Sequence, residues 1–366
     1  MNRSSISSSN ALILSPVQWV ITIFLFVAIC TFMYMGWFSW ERFEPGKDFR
    51  PLCWDERMSD YWSHFRWSRY AQGRYKVFLI GDSVFWGQEV DNDQTISHYL
   101  NEKYGKEIFA NLGVDGLFQA GIRGLVKYYS NYYDNVLLQF SPYWLFDENR
   151  DLRGNIKRFR HPRLVPQFHP DIHYNNYSLN ERLSYKLEHY LRIFSLVRHI
   201  IVNYYDNMSV AEWMIENPYK NPFKAITFKN DEVMREKRGK GLDWETKEYP
   251  LRDVPLVPLG ESVQWECFID TIEMFESRNI SYFVLLGPYN AYILNQESRN
   301  RLYAHLKEVK NYFEEHSIPY FEAGDNILPS KMFADGAAHL LDKGHDILAA
   351  ELLRDAVFRE WLDKIE

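Results

Sequence analysis

Chemistry in this chain could begin in the stretch VFLIGDSVFWGQEV, residues 77–90. An apolar run stops on Gly81-Asp82-Ser83. A serine at the C-terminal end of a buried strand stands where open α/β sheets place their reacting groups. The same spelling also fits a plain strand–turn–helix junction whose serine caps the helix. A serine hydroxyl becomes a useful nucleophile only when a neighbouring base takes its proton. Of the 11 histidines, His339 has the most telling context, FADGAAHLLDKGHDILAAELL at 333–353. There Asp335 precedes it by four residues, on a loop before the last helical pattern. A carboxylate so close in the chain can hold the imidazole in one tautomer and orientation. The three residues would do acyl transfer. Ser83 attacks an ester carbonyl, His339 takes and returns the proton, and Asp335 orients His339.

Other polar residues fit structural roles. His161, His169 and His173 share the loop HPRLVPQFHPDIHY, but their spacing matches no zinc pattern, so no metal is expected. Tyr289 and Asn290, in GPYN after a strand, either line a groove or make a turn. His345 falls in the first turn of the last helix, as a packing or capping residue. Glu89, Asp91 and Asp93 follow Ser83 and fit the start of the next helix, where acids complement the dipole. The chain has no glycine-rich phosphate loop of the Walker or dinucleotide type, so no cofactor is expected. A net charge of −7 argues against nucleic acid as a partner. Cys30 lies in an apolar run. Cys53 and Cys267 remain, enough for one disulfide or for two buried thiols.

The elements that must position these residues alternate. YKVFLI (75–80), EIFANLG (107–113) and NVLLQF (135–140) read as buried strands. Helical patterns at 94–105 and 117–132 separate them. The rhythm breaks from about 145 to 259. One long helix is expected at 177–205, with Ser178 and Glu181 at capping-box spacing. An irregular excursion follows at 217–259. The pattern returns with a helix at 261–278, a strand at 281–287, a helix at 296–316, a short strand at 319–323 and a helix at 344–363. Such alternation predicts an α/β fold with a parallel sheet and helices on both faces. Composition agrees, at 46% hydrophobic and 25% charged, and the 17% of aromatic residues fit a large aromatic core, the expected reading, or a sugar-stacking or membrane-proximal surface.

Residues 17–37, VQWVITIFLFVAICTFMYMGW, form an uncharged 21-residue run, about the length of a bilayer's hydrocarbon core. Trp19, Tyr34, Trp37 and Trp40 lie near its ends, where interfacial aromatics sit. No small-residue cleavage site follows, so a retained single span is expected. Arg3 precedes the span, while Arg42, Lys47, Arg50 and Arg57 follow it. By charge alone that count favours a cytoplasmic C-terminal domain. The organisation read from sequence is a tail and transmembrane helix at 1–40 and a connector at 41–74. An α/β domain at 75–366 follows, carrying an insertion at about 145–259.

The GDS turn after the first strand, NLGVDG (111–116) after the second, and the Asp–His pair before HLLDKGH (339–345) together resemble the SGNH, or GDSL-type, hydrolase superfamily. The resemblance covers roughly residues 75–140 and 280–360. It implies a flavodoxin-like three-layer sandwich with Ser83 as nucleophile, His339 as base and Asp335 as its partner. It also implies that Gly116 donates its N–H to an oxyanion hole. Two departures stand out. The Asp–His spacing is one residue longer than the family's. The family's asparagine donor after the third strand is absent from LLQFSPYWLFDENRD (137–151), where Ser141 is nearest its place. Losing one such donor typically costs about 10²–10³ in rate. Membrane-anchored members of this superfamily act on acyl groups of envelope or extracellular polysaccharide, often beside a multi-span membrane O-acyltransferase. The resemblance therefore implies an esterase or O-acetyltransferase acting on acylated polysaccharide, with its catalytic domain periplasmic or extracellular. Two other readings stay open: a lipid or thioester hydrolase with the same triad, and a catalytically weak domain that binds glycan or scaffolds a membrane enzyme.

Overall fold

The computed structural model describes residues 15–46, 49–52, 59–154, 159–229 and 249–365. Cys53, Arg3, Lys47, Arg57 and the serine-rich tip lie outside the described residues, as does the centre of the excursion.

Five strands form one parallel sheet. They are β1 (Val77–Ile80), β2 (Phe109–Asn111), β3 (Asn135–Phe140), β4 (Ser281–Leu286) and β5 (Tyr320–Glu322), in the order β2-β1-β3-β4-β5. Every neighbouring pair is parallel, with Leu79 opposite Asn111 and Leu137, and Leu138 opposite Val284. β1 is buried along its whole length, as a strand covered on both faces should be. Right-handed crossovers explain the layers. The chain steps from β1 to β2 in one direction and returns from β2 to β3 in the other, so successive helices fall on opposite faces. The helix Ile96–Tyr104 packs with Asp342–Arg354, and Gln119–Tyr129 packs with Val263–Ser277. This is the expected α/β architecture, with its strand order reversing beside β1, where such sheets bind ligands.

The aromatic residues build the interior, with Trp62, Trp67 and Trp86 completely buried. The helix Tyr61–Ala71 is part of that interior, and its Trp67 indole donates to the Asn111 carbonyl at 2.6 Å.

The long helix expected at 177–205 is two helices, Leu179–Tyr190 and Arg192–Tyr204, broken at Leu191 (φ −112°, ψ 87°). Tertiary contacts impose the break. His189 stacks on Tyr128 with ring centroids 3.8 Å apart, and the Arg192 guanidinium donates to the Tyr128 carbonyl at 3.0 Å. The second helix then turns to pack on Tyr61–Ala71. Ser178 and Glu181 do form the expected capping box. The helix expected at 344–363 is likewise two, Asp342–Arg354 and Ala356–Asp363, with Asp355 capping the second. The insertion begins and ends at one place, since the Val257 N–H donates to the Leu145 carbonyl at 2.9 Å.

A buried charge pair locks the insertion to the core. The His199 Nδ1 lies 2.9 and 3.0 Å from the two Asp60 carboxylate oxygens, both side chains being fully buried. Asp60 also caps Tyr61–Ala71 and accepts from Ser63 and Asn203. Burial alone would raise the Asp60 pKa, but the His199 charge and these hydrogen bonds outweigh it and hold the carboxyl at about 2. His199→Ala leaves that carboxylate buried and largely uncompensated, at a cost of about 3–5 kcal/mol. The expected result is a fall in thermal midpoint on the order of 10 °C, read by circular dichroism at pH 7. An unchanged midpoint would show that Asp60 finds another partner or water. Because the folded pKa lies below the ordinary 3.8, the stabilisation is complete above pH 3.8 and fades as pH falls towards 2.

A second, separate unit comprises residues up to Phe43 together with Thr227–Asn230. Its helix, Pro16–Trp40, has 25 residues and a capping box between Ser15 and Gln18. It is the one helix among the described residues long and apolar enough to cross a membrane. Its C-terminal end carries tertiary contacts. Trp37 is buried, with its ring 5.2 Å from that of Phe228, and the Arg42 N–H donates to the Phe228 carbonyl at 2.9 Å.

Candidate active site

β1 delivers Ser83. The strand ends at Ile80, the chain turns through Gly81-Asp82, and Ser83 is the first residue of a short helix, Ser83–Trp86. Asp82 caps that helix by accepting from the Val84 N–H at 2.9 Å. The turn passes hard against β3. A Cβ on Gly81 would stand 2.3 Å from Gln139 Oε1 and 2.8 Å from the Phe85 ring, so only glycine fits there. Gln139 Oε1 accepts from the Asp82 N–H at 3.0 Å, and the Trp144 indole donates to Asp82 Oδ2 at 3.1 Å. These contacts fix the turn from below and from the side.

His339 arrives from the far end of the chain. Residues 332–341 form a small hairpin-like loop. Phe333 bridges Leu340 antiparallel, and the Ala334 N–H donates to the His339 carbonyl at 2.9 Å. Asp335 and His339 face each other across its turn. Their four-residue spacing is thus absorbed by Gly336, Ala337 and Ala338, small residues that impose little steric demand. The Asp335 carboxylate accepts from the Ala337 N–H at 2.9 Å, and its other oxygen lies 2.5 Å from His339 Nδ1. Asn290 secures the loop from outside, donating through Nδ2 to the Asp335 carbonyl at 2.9 Å and through its N–H to the Ala337 carbonyl at 3.2 Å.

Two distances define the site. Ser83 Oγ lies 2.7 Å from His339 Nε2, and His339 Nδ1 lies 2.5 Å from Asp335 Oδ2. Hydroxyl, imidazole and carboxylate form one hydrogen-bonded line, the geometry of a Ser-His-Asp triad. Burial would push the His339 pKa down, but the bond and charge of Asp335, with Asp82 and Asp115 beyond, raise it above its ordinary 6.5. Burial would push Asp335 up, but His339 holds it below its ordinary 3.8. The Asp335 side chain keeps 40% of its surface exposed, so solvent screens the pair and it orients His339 more than it stabilises the fold.

Gly116 stands in the loop after β2 in the left-handed region, φ +73°, with the Arg160 side chain where a Cβ would point. Asn111 ties this loop to the serine helix, donating to the Phe85 carbonyl at 2.7 Å and accepting from the Gly113 N–H at 2.9 Å. The Val114 N–H donates to the Gly81 carbonyl at 3.0 Å. Ser141 follows β3, buried, its hydroxyl without a partner among the described residues. The Ser83 and Gly116 N–H groups likewise meet no acceptor among those residues.

The remaining candidates resolve into structural roles. Tyr289 is buried and donates to Glu322 at 2.9 Å, with burial pushing its pKa up. His345 is buried in its helix, and burial holds it neutral, its pKa lowered to about 3. Asp91 caps a short turn, Asn92–Gln94, that includes Asp93, while Thr95 caps the next helix. His161 is buried between the Tyr61 hydroxyl and the Asp115 carbonyl. Cys267 is buried, which raises its thiol pKa. His169, Asp171 and Glu266 bring ligand atoms within 4.8 Å of one another. The Asp171 N–H donates to His169 Nδ1 at 3.3 Å, and His169 Nε2 lies 3.2 Å from Glu266.

Two cavities adjoin, and the smaller reaches Gly336 of the 332–341 loop. One, of about 320 Å³, is lined by Tyr143, Phe146, Asp147, Arg150, Arg252 and Gly336. The other, of about 640 Å³, is lined by Asp147, Glu148, Asp171, His173, Pro255 and Glu261. They share Asp147 and Pro255.

Trp144, Gln139 and Asn290 hold the triad's two halves, and sequence reasoning assigns no role to the first two. A glutamine inside the apolar run NVLLQF is a usable signal for Gln139. Nothing local marks Trp144.

No family model matches the chain, and no curated protein matches it. Among solved structures, it is similar to a protein assigned to the G-D-S-L lipolytic family from Desulfitobacterium hafniense DCB-2. That likeness is at 10% identity with a TM-score of 0.36, covering 79% of this chain and 98% of that one. A likeness at that level leaves function to the geometry of the site.

Proposed function

We propose that the chain is a serine acyl-ester hydrolase or O-acyltransferase acting on acylated polysaccharide, anchored to a membrane by Pro16–Trp40. The observation that carries this reading is the line Ser83 Oγ, His339 Nε2, His339 Nδ1, Asp335 Oδ2, with contacts of 2.7 and 2.5 Å. As Ser83 Oγ attacks the ester carbonyl, its proton passes to His339 Nε2. The negative charge moves to the carbonyl oxygen. The N–H groups of Ser83 and Gly116, with the Ser141 hydroxyl, supply donors for it. On collapse the ester C–O bond breaks, His339 returns the proton to the leaving alcohol, and Ser83 keeps the acyl group. Water or a sugar hydroxyl, deprotonated by His339, then releases it. The cavities favour polysaccharide over lipid, since carboxylates and guanidinium groups with aromatic walls suit a hydroxylated ligand.

The test is a fluorophosphonate probe applied to the full chain in detergent, with the labelled peptide located by mass spectrometry. Label on Ser83, absent in Ser83→Ala and His339→Ala, supports the reading. A folded protein that takes no label on Ser83 would return it to the role of a helix-starting turn residue. Ser141→Ala adds a second check. Its hydroxyl has no partner to lose, so thermal stability should stay within about 0.5 kcal/mol. Aryl acetate kcat should fall about 10²-fold with KM little changed, as removal of an oxyanion donor does.

A further inference from the structure

The smaller cavity contains a charge without a counterpart. Its two carboxylates are engaged, Asp147 with Arg150 at 3.1 Å and Asp253 with Ser298 and Arg301. Arg150 also stacks over the Tyr143 ring at 4.1 Å. Arg252 has no carboxylate partner among the described residues. Its side chain is exposed, and its main chain is fixed. Its N–H donates to the Ile293 carbonyl at 2.7 Å, and its carbonyl accepts from the Asn295 N–H at 2.9 Å. Its guanidinium lies flat against the catalytic loop. Three of its atoms would stand 3.2–3.4 Å from a Cβ on Gly336, the residue directly after Asp335. Tyr143, which also lines the cavity, neighbours the Trp144 that bonds Asp82. The cavity thus touches both halves of the triad's support.

We infer that Arg252 is an anion-binding subsite that recognises an acidic group, carboxylate or phosphate, on the sugar carrying the scissile ester. This inference rests on the acyl-transfer reading of Ser83. A guanidinium presents parallel N–H donors that match either oxyacid bidentately. The cavity of about 320 Å³ beside it has room for one sugar ring. The adjoining cavity has the opposite character. Glu148 and Asp171 there can accept from hydroxyl groups but would repel a second acid close by. The substrate class is therefore a glycan with an acidic group next to its ester and neutral, hydroxyl-rich units beyond.

The experiment uses the full chain in detergent and compares kcat/KM for mono-O-acetyl methyl glucuronoside, its glucoside 6-phosphate counterpart and the neutral mono-O-acetyl methyl glucoside. A charge-assisted hydrogen bond is worth about tenfold or more, so one acidic ester should exceed the neutral one by at least that factor. The larger of the two ratios identifies the acid. In Arg252→Gln the ratio should fall to near one, and Arg252→Lys should restore part of it. Equal rates in the native protein, or a preference that survives Arg252→Gln, would overturn the subsite. Turnover of 4-nitrophenyl acetate is read in parallel, and its absence would count against the Ser83 reading instead. Binding of methyl glucuronoside, methyl glucoside and methyl glucoside 6-phosphate to Ser83→Ala, followed by NMR titration, then decides the subsite without turnover. Tighter binding of an acidic glycoside that is lost with Arg252 sustains it, and equal binding ends it.

Discussion

Ser83→Ala and His339→Ala are each expected to lower aryl acetate turnover by about 10⁴–10⁶, and the double variant should be no slower than either. The reason is geometric. Ser83 Oγ and His339 Nε2 share one hydrogen bond of 2.7 Å, so removing either end stops the same proton transfer. The oxyanion donors remain and should leave a residual rate above water. Steady-state kinetics on the three variants, each checked for native circular dichroism, measures this. Additive losses would mean that the two residues act in separate steps, and a modest loss from His339→Ala would assign the base elsewhere.

Asp335→Asn is expected to lower kcat by about 10³–10⁴ and to move the pH profile. Asp335 raises the His339 pKa above 6.5, and the working base is the neutral imidazole. Native kcat/KM should therefore climb through a limb that lies above pH 6.5. Without the carboxylate charge, burial dominates and that limb should shift to lower pH. Asparagine also presents an amide that can hold the wrong tautomer, which accounts for the size of the loss. The signs for stability follow separately. Asp335, with a lowered folded pKa, contributes above pH 3.8 and loses its contribution as pH falls. His339, with a raised one, contributes below 6.5 and loses its contribution as pH rises through its folded value. A profile measured between pH 4 and 10 tests both residues, and a limb unmoved in Asp335→Asn would detach that carboxylate from His339.

Much of the fold and of the triad is legible in the sequence because the parts are local. A buried strand running into Gly-Asp-Ser needs only six or seven residues to declare itself, and Asp335 lies four residues from His339. The alternation that yields the sheet order is likewise written in short windows. What does not show is what depends on distant partners. Trp144 reaches Asp82 across 62 positions and Gln139 reaches it across 57, so neither window reveals the bond. The break at Leu191 sits inside an uninterrupted helical pattern. It exists because His189 stacks on Tyr128 and His199 must meet Asp60. Asn290 is the middle case, since GPYN marks a turn on the right rim but does not say that its amide clasps the Asp335 loop.

The bond between Ser83 and His339 spans 256 positions. One end starts the short helix that follows the first strand, and the other lies on a loop that follows the fifth strand in the chain. During synthesis the serine emerges early, but Gln139 and Trp144, which hold its turn, and His339, which meets its hydroxyl, are all added later. On the proposed reading, acyl turnover requires the 332–341 loop to be in place with His339 against Ser83. Acyl turnover would therefore serve as a readout of completed folding for the whole sheet. Stalled chains that stop short of residue 339 should accumulate without attacking a single ester.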